Sequence, residues 1–123
     1  PQSLAAPPGE RRWTAAAAAV ARLRILRGLT RERLGHLPLA LADYEAAIAC
    51  DPTAGVALIH RARCCVKMNR YDSVAADVAA ALPLVADKAG AYTLLGKAQF
   101  AVGDDAGAFH AFSAAIEEGD RGA

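Results

Sequence analysis

Aromatic residues are scarce, at 6% of the 123 residues, with one Trp, three Tyr and three Phe. Hydrophobic residues nevertheless make up 54%, much of it alanine. Alanine-rich, aromatic-poor chains make poor sheets and suit helices packed closely together. Long apolar runs are missing too. Nothing approaches the roughly 18 consecutive apolar residues of a membrane span. Cysteine is limited to Cys50, Cys64 and Cys65, an odd number that cannot form a fully paired disulfide framework. Neighbouring cysteines on a helix point about 100° apart, which suits no ordinary bridge. A reducing, cytoplasmic setting is the expectation, with the cysteines acting as small buried hydrophobes. His36, His60 and His110 add no paired spacing of the kind zinc needs, so no metal and no cofactor are expected.

Catalytic signatures are equally absent. No glycine-rich phosphate loop, nucleophile elbow or HExxH segment occurs. Asp104-Asp105 and Glu117-Glu118 are carboxylate pairs, but adjacent acids at a turn and a helix end read as solvated surface. His60 lacks any nucleophile or orienting acid legible nearby in sequence. The expectation is a chain that is not an enzyme.

Net charge is only +1, yet its distribution is uneven. Residues 1–35 carry seven Arg against Glu10 and Glu32, a net of +5, and the remainder is −4. The basic end is a candidate contact surface. Binding of nucleic acid there would rest on charge alone, since few aromatics are available to stack on bases. Arg11-Arg12 ahead of the alanine run 15–19 loosely imitates a secretion signal, but Arg22 and Arg24 follow at once and argue against one. Opening on Pro1 rather than methionine leads to the expectation of a piece of a longer chain. Pro7-Pro8-Gly9 suggests a loose leader, with a long first helix starting near Glu10 or Thr14 and running to Leu34.

What is present is a helix, repeated. In Leu34–Pro52, Gly35 offers a turn and Pro38 suits a first helical turn. Leu41, Tyr44, Ala47 and Ile48 then share one helical face, and Asp51-Pro52 stops the helix. An offset of 34 residues aligns Gly28, Ala62 and Gly96. The same offset aligns Ala40, Val74 and Ala108; Tyr44, Val78 and Phe112; and Ala47, Ala81 and Ala115. It also aligns Gly35, Asn69 and Gly103, where a left-handed turn residue is wanted. Small residues at the crossings let two antiparallel helices approach to the short end of the usual spacing of about 8–10 Å. Tyr44 and Phe112 fill the space beside them, Val78 fills it thinly, and Pro83 is expected to end or kink the middle repeat's second helix early.

On these residues the chain resembles the tetratricopeptide repeat (TPR) family, a 34-residue helix–turn–helix repeat. The resemblance covers repeats at 21–54, 55–88 and 89–122, after a leader and helix extension at 1–20. It implies an all-α fold, an α-solenoid of three repeats with an extended N-terminal helix. Arg24 and Arg31 depart from the pattern, standing where bulky apolar residues are usual; either their stems lie along the surface or the first helix is rotated. No polar capping segment follows the third repeat to cover Ile116, which suggests self-association or packing through that helix.

The resemblance further implies a non-enzymatic adaptor or scaffold holding a peptide along the first helix of each repeat. Alignment assigns the groove to Arg22, Ile25, Leu26, Leu29 and Arg33 in the first repeat. The second supplies Val56, Ile59, His60, Arg63 and Lys67, and the third Thr93, Leu94, Lys97 and Phe100. Apolar residues with a basic rim favour a partner with hydrophobic anchors and acidic flanks. Some family members grip a chaperone C-terminus through a carboxylate clamp. The matching positions here are Ile25, Leu29, His60, Gly90 and Leu94, which lack its charged donors. A module without that clamp is expected. The alternative is a structural or oligomerisation domain packing through its end helices.

Overall fold

In the computed structural model, residues 8–122 are described, with side chains from residue 15 onward. Of the expected loose leader at 1–9, residues 1–7 lie outside them, and Pro8 and Gly9 belong to the first helix instead. Six helices follow one another: α1 (Pro8–Arg33), α2 (Leu37–Cys50), α3 (Gly55–Lys67), α4 (Val74–Ala81), α5 (Lys88–Ala101) and α6 (Asp105–Gly122). No strand occurs among the described residues, so the fold is all-α. The first helix begins at Pro8, ahead of the expected Glu10 or Thr14. Proline costs little in the first turn, where its missing N–H would be unpaired anyway.

The chain divides into two compact units, residues 1–54 and 55–123. In the first, α1 packs on α2 as a helical hairpin. In the second, the hairpins α3/α4 and α5/α6 form, and α5 packs on both α3 and α4. Each hairpin turns the same way. Gly35 (φ 84°), Asn69 (φ 59°) and Gly103 (φ 86°) take the left-handed conformation expected of that column. The residue after each donates its N–H back five positions, His36 to Arg31, Arg70 to Cys65 and Asp104 to Gln99. The same turn thus recurs in hydrogen-bond detail, at one offset, inside each of the three hairpins.

The crossings follow the volume rule read from the sequence. A Cβ on Gly28 would lie 2.6 Å from Cε1 of Tyr44, and one on Gly96 would lie 2.6 Å from Cε1 of Phe112. Where the facing residue shrinks to Val78, the small residue is Ala62 instead, and both are buried. The Tyr44 hydroxyl donates to Glu32 Oε1, so its polar end is satisfied while the ring is fully enclosed.

Helix ends are explained locally. Asp51, ahead of Pro52, is extended (φ −146°, ψ 91°) and accepts from the backbone N–H and hydroxyl of Thr53. Asp87 caps α5 by accepting from the Gly90 N–H at 2.9 Å. The expectation for Pro83 holds: α4 is the shortest helix, at 8 residues, and ends at Ala81.

Candidate functional site

Two carboxylates lie in the core, and neither was singled out from sequence. Asp43 and Asp77 are 2% and 4% exposed. Each is held by an arginine sixteen positions earlier on the facing helix. Arg27 Nε donates to both Asp43 oxygens at 3.1 Å, and its Nη2 reaches Oδ1 at 2.6 Å. Arg61 Nε and Nη2 donate to Asp77 at 2.9 and 2.6 Å. The pairs are themselves 34 residues apart, a signal present in the sequence but read there only for apolar columns. In the third repeat the same positions are Leu95 and Ala111, an apolar pair.

Arg31 also donates to Asp43, at 3.0 Å. This resolves the question raised at Arg31. The first helix keeps the register that sets Gly28 against Tyr44, and Arg31 reaches the buried acid instead of displacing an apolar contact. Hydrogen bonding from Arg27 above all, with the charges of Arg27 and Arg31 adding to it, holds the Asp43 carboxyl below its ordinary range; burial works the other way and is outweighed. A carboxyl depressed in the folded state contributes stability above its unfolded pKa of about 3.9 and loses it as pH falls further. Urea midpoints measured from pH 5 down to pH 2, as round acid conditions (roughly spanning that transition), should fall more steeply for the native chain than for Asp43→Asn. Parallel curves would show that Asp43 adds nothing to acid sensitivity.

The groove residues fall on definite faces. In the first unit, Arg22, Ile25, Leu29 and Arg33 follow one another along one side of α1; the arginines are exposed and the apolar pair half-buried. Leu26, beside them, is exposed. In the second unit, Val56, Ile59, His60 and Arg63 line a cavity of about 380 Å³. Its far wall is Val85, Ala86 and Asp87, three loop residues that sequence reasoning did not assign. That wall is built, not loose. Lys88 Nζ donates to the carbonyls of Leu82 and Val85 at 2.8 and 3.1 Å. Gly55 lets the loop sit down on α3, since a Cβ there would lie 2.7 Å from Leu84 Cβ. The cavity thus combines apolar Val56, Ile59, Val85 and Ala86 with His60 and Arg63 from α3 and Asp87 from the loop.

The rest of the assigned groove is more dispersed. Lys67 is exposed in the last turn of α3. On α5, Lys97 is exposed, Phe100 is 69% exposed, and the half-buried Thr93 donates its hydroxyl to the Ala89 carbonyl at 2.8 Å. Leu94 is a core residue, 8% exposed, and presents little surface to a ligand. Its assignment came from alignment position, which does not register how a helix is rolled.

Among the described residues, no group of three or more His, Cys, Asp or Glu is placed to hold a metal ion. Cys50, Cys64 and Cys65 are free thiols. Burial pushes the Cys65 thiol up, away from the reactive thiolate form. No described helix is long and apolar enough to cross a membrane. Compared with models of known protein families and with curated proteins, the chain matches none.

Proposed function

We propose that the chain is a non-enzymatic interaction module of the TPR type, taking a peptide segment of a partner protein against the first helix of its hairpins. The observation that carries this reading is the cavity on α3, where Val56, Ile59, His60 and Arg63 meet the fixed loop at Val85–Asp87. Apolar anchors enter such a pocket for affinity, and the cationic groups beside it select acidic flanks and register. The 34-residue recurrence of turns, crossings and ion pairs supports the family reading on which the groove rests. Free thiols in a chain with no paired cysteine fit a reducing, intracellular compartment.

A phage-displayed library of peptides carrying hydrophobic residues flanked by Asp and Glu tests the proposal. The native chain should enrich a consensus. Ile59→Glu and Arg63→Glu should each weaken the selected peptide at least about tenfold, equivalent to about 1.4 kcal/mol. Selection of no consensus, or of peptides indifferent to both substitutions, would remove the α3 cavity as the site.

A further inference from the structure

The two outermost helices in sequence, α1 and α6, expose large apolar side chains at positions whose counterparts lie along the α4/α5 packing of this same chain. Consider first the side of α5 turned toward α3 and α4. Ala91 and Ala98 are buried there, and Leu95, Ala98 and Val102 meet Tyr71 and Ala75 around a cavity of about 220 Å³. Sixty-eight residues earlier, two repeat lengths, the same face of α1 carries Leu23, Arg27, Thr30 and Leu34. Leu23 is 65% exposed where its counterpart Ala91 is buried, Leu34 at 65% is as open as its counterpart Val102 at 61%, and Val20 extends the face one turn further. Now consider α4. Ala75, exposed but lining that cavity with α5, is matched 34 residues later by Phe109, and the half-buried Leu82 by Ile116. Phe109 and Ile116 stand one heptad apart on one side of α6 and are largely exposed.

The α1 face is therefore the counterpart of what α5 presents, and the α6 face is the counterpart of what receives it. Their charges are also complementary. The α1 segment carries seven Arg and two Glu, a net of +5, while α6 carries Asp105, Glu117, Glu118 and Asp120 against Arg121, a net of −3. Opposite fields of this kind set orientation and speed encounter.

We propose that α6 is a docking surface for α1 of a second copy of this chain, so that copies join head to tail by reproducing the α4/α5 packing between molecules. An interface that joins two different faces is heterologous, and repetition makes open chains, not closed dimers. This inference is separate from peptide binding at the α3 cavity, because none of its residues line that cavity.

Light scattering on the full chain tests it. The weight-average mass should rise to about twofold or more above 12.7 kDa as concentration goes from about 5 to about 500 µM. Raising salt from about 50 to about 500 mM should lower that mass, since screening shortens the reach of the charges. Val20→Gln/Leu23→Gln blocks one face and Phe109→Gln/Ile116→Gln the other. Each variant alone should stay at one chain mass. Mixed in equal amounts, the two variants should form a dimer and nothing larger, because one intact pair of faces remains. All four positions are solvent-facing, and circular dichroism identical to the native chain checks that helices are kept. A constant single-chain mass for the native protein, assembly retained by either variant, or a mixture that stays monomeric would each overturn the proposal.

Discussion

Asp77→Ala should destabilise the chain by about 3 kcal/mol, the lower end of what removing one partner of a buried pair costs. The lower end applies because the Arg61 side chain keeps 26% of its exposure while that of Asp77 keeps 5%. The arginine left behind is thus part-solvated, yet it loses a two-pronged bond at 2.6 and 2.9 Å. The instructive variant is the double one. Arg61→Leu/Asp77→Ala installs the residues that the third repeat already carries at these positions, Leu95 and Ala111. It should recover most of the loss and sit within about 1 kcal/mol of the native chain, because replacing both partners removes the desolvation cost along with the attraction. Urea denaturation of the single and double variants measures this. Losses that simply add would mean that the third repeat's apolar pair is no precedent for the second.

Tyr44→Ala should cost about 3–5 kcal/mol, the usual range for emptying a buried aromatic site. The ring is 0% exposed, fills the space over Gly28, and gives its hydroxyl proton to Glu32. A cavity would open and Glu32 would lose a donor. The reciprocal change, Gly28→Ala, should cost about 1–3 kcal/mol by overpacking against the same ring. Combined as Gly28→Ala/Tyr44→Val, the crossing acquires the Ala62/Val78 composition found in the second unit, and the loss should be smaller than the two single losses added. Thermal and urea unfolding followed by far-ultraviolet circular dichroism read out all three variants. Strict additivity would show that the crossing volume is not conserved as a pair.

Much of this architecture was legible before any coordinates. Turn positions needing positive φ announce themselves as Gly35, Asn69 and Gly103, because few other residues tolerate that backbone. Helix crossings announce themselves as Gly28 and Gly96 opposite Tyr44 and Phe112, because volume at a close approach is a nearest-neighbour constraint that repeats with the fold. Pro52 marks a helix stop for a reason contained in two adjacent residues, the extended Asp51 before it, and Pro83, which lacks a backbone N–H, follows the end of α4.

The candidate site was only half legible. Alignment found Val56, Ile59, His60 and Arg63, since residues three and four apart on a helix share a face by geometry alone. It missed Val85, Ala86 and Asp87, whose place depends on Lys88 pinning the loop and on Gly55 giving it room. It also kept Leu94, whose burial depends on how α5 rolls against its neighbours.

What sequence alone determined, then, was the helical class, the 34-residue period and the positions of turns and close crossings, all products of short-range sterics. What tertiary structure decided was the fate of the charges and the loops. Whether Arg27, Arg31 and Arg61 face water or a buried acid depends on two helices meeting at one angle and register. No local pattern along either helix carries that information.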